Sequence, residues 1–342
     1  MFAIITKLNE ELNNYRSLAV IGLSKNAGKT TTLNAILKLR DYTNCMLTSI
    51  GYDGEEADLI FNTKKPTIYI KENTIIATAK KCLLNSEISF EILETTGFNT
   101  PLGEVIIARS LNEGLIELAG PSYNEQLKKV INILQSFNPE GLCIIDGALN
   151  RKGFADPSVC DATILCSGMS LSKDIDEVVA KTIFTLDIFK LDIVNEGIRD
   201  IIIDDTTHSI IIDKNHNIRV ITMETLINHE NEIIKMLDKR VEYLYINGPL
   251  VDKMVLALIG HRLKYPNLKI VVDNATKVFI NQKTLEMLKK TNIKIMYLNN
   301  INIIGVSTNP VGINYDVDSD ELVDKIKLGT KKMVFDMVKG VK

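Results

Sequence analysis

Residues 18–32 read Leu18-Ala19-Val20-Ile21-Gly22-Leu23-Ser24-Lys25-Asn26-Ala27-Gly28-Lys29-Thr30-Thr31-Thr32. An apolar run ends at a glycine, a polar segment follows, and Gly-Lys-Thr opens a helix. This order of strand, loop and helix is typical of a phosphate-binding loop. Successive backbone N–H groups in such a loop form a concavity for phosphate oxygens, and the helix points its positive end at them. The sequence therefore predicts a nucleotide site here.

The predicted phosphate ligands come from the loop and the first helical turn. Lys29 is expected to reach the outer phosphates and to act in catalysis, and the Thr30 hydroxyl is expected to ligate Mg²⁺. The predicted nucleotide-binding set is Gly22, Ser24, Lys25, Asn26, Ala27, Gly28, Lys29, Thr30 and Thr31.

The spacing of the loop departs from the standard pattern. Five residues lie between Gly22 and Gly28, whereas the standard loop has four. The longer spacing resembles the loop of dethiobiotin synthetase and its relatives. The alternative is a chance Gly-Lys-Thr at a helix start, which the order of strand, loop and helix disfavours.

Acidic residues at predicted strand ends are candidates for the metal and for catalysis. Asp146 follows an apolar strand, as the acid that faces the loop threonine in P-loop proteins does. Asp53 lies in an acidic turn after a second strand, where it could join the magnesium shell or polarise a water. Glu94 is the second candidate for positioning that water. Turn residues that serve no ligand are the alternative for each.

Length and composition limit the function classes. The chain has 342 residues, of which 45% are hydrophobic and 24% charged, so we expect two folded domains. A net charge of −3 does not favour a nucleic-acid surface. No run is long enough for a membrane span, and the first residues lack a secretion signal, so we expect a cytoplasmic protein. The five cysteines and four histidines show no zinc spacing.

The predicted fold class is α/β. A P-loop NTPase domain with a mostly parallel sheet is expected over residues 1–200, with a β-rich insertion at about 66–121 that could instead extend the sheet. A second α/β, Rossmann-like domain is expected over 201–342. A short lead-in helix is predicted over Glu10–Ser17 and a final helix over Glu321–Val338.

The second domain is predicted to alternate helices and strands after a hairpin over His208–Ile221. Its further predicted elements are Thr225–Leu237, Glu242–Ile246, Val251–Leu263, Leu268–Val272, Gln282–Lys290, Ile293–Leu298 and Ile301–Val306.

Four segments carry a resemblance to a known family. The chain resembles the P-loop subunit of the reactivase for lysine 5,6-aminomutase, a family encoded beside genes of anaerobic amino-acid fermentation. The segments are 21–34, 48–55, 93–105 and 146–152. The resemblance implies an ATPase that opens a cobalamin-dependent aminomutase so that spent cofactor leaves. It also implies protein partners, namely a second reactivase ATPase subunit, an aminomutase, or both.

Three functions stay open at this stage. The first is the chaperone-like ATPase, with ATP and Mg²⁺ as cofactors; Ser172-Lys173-Asp174 does not match a guanine-reading motif. The second is a ligase or small-molecule kinase resembling dethiobiotin synthetase. The third is a nucleotide-binding subunit that hydrolyses nothing. Lys25 could contact the phosphates within the chain or, in a homodimer, the nucleotide of the neighbouring subunit.

Overall fold

A computed structural model describes residues 2–51, 67–147, 159–204, 207–312 and 314–340. The chain divides into two units. Met1–Ile183 and Asn302–Lys342 form the first, and Phe184–Ile301 forms the second.

The strands of the described residues are numbered in chain order. They are β1 (Ser17–Gly22), β2 (Cys45–Ser49), β3 (Ile68–Ile70), β4 (Ile75–Ala79), β5 (Phe90–Thr100), β6 (Gly103–Ser110), β7 (Gly114–Ile116), β8 (Leu142–Asp146), β9 (Ala162–Gly168), β10 (Ser209–Asp213), β11 (Ile218–Ile221), β12 (Val241–Tyr245), β13 (Leu250–Val251), β14 (Lys269–Val272), β15 (Val278–Phe279), β16 (Lys294–Tyr297), β17 (Ile303–Asn309) and β18 (Met333–Phe335).

The α-helices of the same residues are numbered likewise. They are α1 (Phe2–Leu12), α2 (Lys29–Arg40), α3 (Lys80–Leu84), α4 (Asn124–Phe137), α5 (Ile175–Phe189), α6 (Glu196–Ile203), α7 (Glu230–Met236), α8 (Asp252–Gly260), α9 (Gln282–Lys289), α10 (Ser319–Gly329) and α11 (Met337–Gly340).

The first unit is built on a nine-stranded sheet in the order β18-β17-β9-β1-β8-β2-β4-β6-β5. The strands from β18 to β4 pair in parallel, and β6 and β5 continue the sheet antiparallel. The central strands β1, β8 and β9 are buried almost throughout because their residues are apolar on both faces. The structure is therefore α/β with a large, mostly parallel sheet, as predicted.

The β-rich segment predicted near 66–121 extends the main sheet. Within it β4 pairs in parallel with β2, and β6 and β5 form an antiparallel hairpin at the edge. Of the strands described in residues 67–121, β3 and β7 stand apart as a two-stranded antiparallel pair.

The second unit contains a five-stranded sheet in the order β11-β10-β12-β14-β16. The predicted hairpin is present as β10 and β11, and β12, β14 and β16 run parallel. Helix α6, which the sequence analysis does not predict, begins at the N-cap Asn195, whose side chain accepts the Ile198 N–H at 2.9 Å.

The sequence predicts a second domain that continues to residue 342, but the chain leaves the second unit before that point. It returns to the first unit at Asn302, because β17 pairs in parallel with β9 and β18 pairs with β17. The strand predicted at Ile301–Val306 thus exists, but it belongs to the first sheet.

The single final helix predicted over Glu321–Val338 is also wrong. Helix α10 ends at Gly329, and Met333–Phe335 form strand β18. Val334 and Phe335 are buried there, and pairing with β17 supplies backbone hydrogen bonds that a helical periodicity cannot reveal. Asp336 then accepts the Val338 N–H at 2.8 Å in the first turn of α11.

Two further helices differ in their bounds. The lead-in helix lies at Phe2–Leu12, because Leu8 and Leu12 are fully buried on one face. The helix expected from Thr225 begins only at Glu230. No helix in the described ranges is long and apolar enough to cross a membrane.

Candidate functional site

The candidate site begins where β1 ends, at Gly22, and where α2 begins, at Lys29. Gly28 has a left-handed backbone, with φ of 93°, and Asn26 is left-handed as well, with φ of 61°. These conformations turn the chain sharply from strand into helix. Gly28 has no side chain to cap α2, so the first N–H groups of the helix point beyond its end without a cap from that residue.

The side chain of Lys29 folds back over the end of β1. A Cβ atom on Gly22 would lie 3.0 Å from Lys29 Cγ and 3.1 Å from Cδ. A Cβ at position 22 would therefore press against the lysine stem, which would have to shift by a few tenths of an ångström. The glycine that ends the strand and the lysine that opens the helix are thus packed against one another.

Asp146 lies at the same edge of the sheet. It ends β8 and pairs in register with Val20 of β1 and Ser49 of β2. The Ile50 N–H donates to its carbonyl at 3.3 Å, and the carboxylate is half-buried. The sheet order thus places one acid beside the strand that leads into the loop.

The charges of Lys29 and Asp146 both affect the pKa of one buried thiol, that of Cys166. Burial raises the pKa of Cys166 to about 12, a hydrogen bond with Thr32 and the charge of Lys29 oppose that rise, and the charge of Asp146 adds to it. Cys166 pairs in register with Gly22. A cation and an anion therefore lie within electrostatic reach of one point under the loop.

The ends of two neighbouring strands brace the loop. The Leu23 N–H donates to the Cys166 carbonyl at 3.0 Å, and the Ser24 and Ser170 hydroxyls are hydrogen-bonded at 2.6 Å. The Asn309 side chain, at the end of β17, donates to the Asn26 carbonyl at 2.9 Å. Sequence reasoning did not find Ser170 or Asn309 as site residues, because their contacts depend on strand order.

The remaining predicted loop residues take different positions. Lys25, Asn26 and Thr31 are exposed, Ser24 and Thr30 are half-buried, and Ala27 is buried. Their backbones all belong to the loop or to the first turn of α2.

Glu94 is not brought to the loop, contrary to prediction. It lies exposed in the middle of β5, the edge strand, whereas the sequence analysis expected it at a strand end. Four strands lie between β5 and β1, which is five spacings of about 4.8 Å, or roughly 24 Å. Sheet order thus places Glu94 away from the loop. Asp53 lies outside the described residues.

The groups at this edge fit a magnesium ion by their chemistry. A hydroxyl from Thr30 and a carboxylate from Asp146 are hard oxygen donors, and Mg²⁺ in phosphate sites commonly takes only one or two protein ligands. Among the described residues as a whole, no group of three or more histidine, cysteine or acidic side chains could hold a metal ion.

Comparison of the chain with models of protein families, with curated proteins and with solved structures finds no match.

Proposed function

We propose that the first unit binds ATP with Mg²⁺ at the carboxyl edge of β1, β8 and β9 and hydrolyses it. The observation that carries the proposal is the fit of Lys29 over Gly22, with left-handed Gly28 opening an uncapped helix. In open parallel sheets ligands bind at this edge, where neighbouring crossovers run to opposite sides. Strand β1 has β9 on one side and β8 on the other.

Each residue in this proposal has a separate role. The N–H groups of residues 26–30 donate hydrogen bonds to the phosphate oxygens, and the positive end of α2 adds its field. The Lys29 ammonium neutralises charge on the outer phosphates, where charge develops during phosphoryl transfer. Thr30 and Asp146 would hold the Mg²⁺ ion, which would supply further neutralisation of the phosphate charge.

We further propose that hydrolysis is coupled to a protein partner. The support is the sequence resemblance to the lysine 5,6-aminomutase reactivase, whose partner is a cobalamin-dependent enzyme. Such coupling needs contacts that differ between the ATP and ADP states. A dethiobiotin synthetase-like ligase or kinase is the second candidate, favoured by the five-residue spacing between Gly22 and Gly28.

Phosphate release from Mg·ATP by the purified protein tests these functions. The proposal predicts slow release that is lost in Lys29→Ala, retained in Lys38→Ala on the exposed side of the same helix, and stimulated by the aminomutase holoenzyme. Release that requires a small acid or amine would favour the ligase or kinase. ATP binding without release under any of these conditions would leave a nucleotide-binding subunit.

A further inference from the structure

Asn309 is the last residue of β17, and 283 positions separate it from the loop residue that it contacts. Its side-chain amide donates to the Asn26 carbonyl at 2.9 Å, and its side-chain oxygen accepts the Val311 N–H at 3.1 Å. Both ends of the amide are therefore used, which fixes the orientation of the group.

Two glycines allow three chain segments to meet at Asn309. A Cβ on Gly28 would lie 3.2 Å from Asn309 Cβ, and a Cβ on Gly168 would lie 2.3 Å from the Asn309 carbonyl oxygen. The Met169 N–H donates to that oxygen at 2.9 Å. The backbone of Asn309 is thus held by β9, and its side chain reaches the loop from a fixed position.

The hydrogen bond to Asn26 determines the direction of a loop amide. The peptide unit between Asn26 and Ala27 is planar and trans, so its C=O and N–H groups point in opposite directions. Holding the Asn26 carbonyl towards Asn309 therefore turns the Ala27 N–H away from Asn309. Asn26 itself has a left-handed backbone, a conformation that asparagine adopts more readily than most residues.

We propose that Asn309 is a positioning residue of the phosphate site, which orients the Asn26–Ala27 peptide so that the Ala27 N–H faces a bound phosphate. This inference rests on the proposed function, since it assigns a role at the same site. It brings the returning segment Asn302–Lys342 into that role, although this segment carries none of the loop motif.

Three variants test the proposal. Asn309→Ala removes the donor. Asn309→Asp keeps the shape but loses the donor and adds a negative charge. Asn302→Ala is the matched control. Asn302 precedes β17 at the amino end of the strand, and its amide likewise donates to a backbone carbonyl, that of Asp161, at 3.2 Å.

The measurements are the KM for Mg·ATP, the kcat for phosphate release and the ¹⁵N order parameter of Ala27 without nucleotide. We expect Asn309→Ala to raise KM about tenfold with little change in kcat. The tenfold rise corresponds to the free energy of one lost hydrogen bond. Asn309→Asp should raise KM further. The Ala27 order parameter should fall from about 0.85 towards 0.6 in both variants. Asn302→Ala should match the wild type in all three measurements.

Two results would overturn the inference while leaving the proposed function intact. One is an Asn309→Ala variant with wild-type KM and order parameter. The other is wild-type KM in Asn309→Asp with a raised KM in Asn309→Ala, since the side chain would then only fill space. A wild-type protein that neither binds nor hydrolyses ATP overturns the proposed function, and this inference falls with it.

Discussion

The hydroxyl groups of Thr32 and Ser307 lie 2.7 Å apart in the interior of the first unit, although 275 residues separate them in the chain. Thr32 faces inward from α2, and its hydroxyl also donates to the Gly28 carbonyl at 2.9 Å. The Cys166 thiol lies 3.5 Å from the same hydroxyl. Hydrogen bonds of the buried Thr32 hydroxyl thus connect helix α2 to β9 and β17.

Replacing Thr32 with valine should destabilise the first unit. The change keeps the shape of the side chain but leaves the buried Ser307 hydroxyl without this partner, which costs about 1–3 kcal/mol. Denaturant unfolding measures the loss. Thr31→Val, on the exposed side of the same turn, should change stability by less than about 0.5 kcal/mol. Equal effects in the two variants would contradict this account of the network.

Alanine at Gly28 should weaken both folding and ATP binding. Gly28 and Gly97 share a left-handed backbone, with φ of 93° and 74°, but a Cβ on Gly97 would meet no atom within 4 Å. Alanine at either position should cost about 1–2 kcal/mol of backbone strain. Only Gly28→Ala should also lower the affinity for Mg·ATP, by at least about tenfold. Calorimetric titration of the two variants checks this, and an equal loss of affinity in Gly97→Ala would contradict it.

Replacing Asp146 and Glu94, two of the three acids predicted from sequence, should affect phosphate release differently. Asp146→Asn should slow phosphate release about 100-fold, the scale expected for a group that acts on the transition state. Glu94→Gln should leave the rate unchanged, because β5 lies at the far edge of the sheet. Steady-state phosphate release measures both. A slow Glu94→Gln variant would show that this edge approaches the nucleotide in some other state of the protein.

Alkaline pH should destabilise the first unit through its buried thiols. Burial raises the pKa of Cys166 to about 12, whereas the pKa of a cysteine in the unfolded chain is about 8.5. Above that lower value the unfolded chain binds fewer protons than the folded chain, so stability is full below pH 8.5 and falls as pH rises towards 12.

The comparison of wild type with Cys166→Ala isolates this group. Between pH 9 and 10.5 the unfolding free energy of the wild type should fall more steeply, by about 1.4 kcal/mol per pH unit. Parallel curves for the two proteins would contradict the buried-thiol account.

Local signals sufficed for the strand, loop and helix at the site. The buried strand β1, the turn at Gly28 and the acid at Asp146 are each encoded within a few residues, so periodicity and glycine spacing predict them. The correct fold class follows from the same alternation of strands and helices.

Non-local pairing decided what the sequence analysis missed. Met333–Phe335 continue a helical pattern, yet they form a strand because the edge of β17 is available to them. Asn309 reaches the loop, and Glu94 does not, only because of the order of strands in the sheet. No spacing in the sequence carries that order.

Equilibrium binding of Mg·ATP, measured by isothermal titration calorimetry, tests the central claim most directly. The account predicts one site per chain, an affinity about 2 kcal/mol weaker in Lys29→Ala, roughly 30-fold, and wild-type affinity in Lys38→Ala. No binding by the wild type, or equal binding by Lys29→Ala, would contradict the assignment of a phosphate site to residues 22–31.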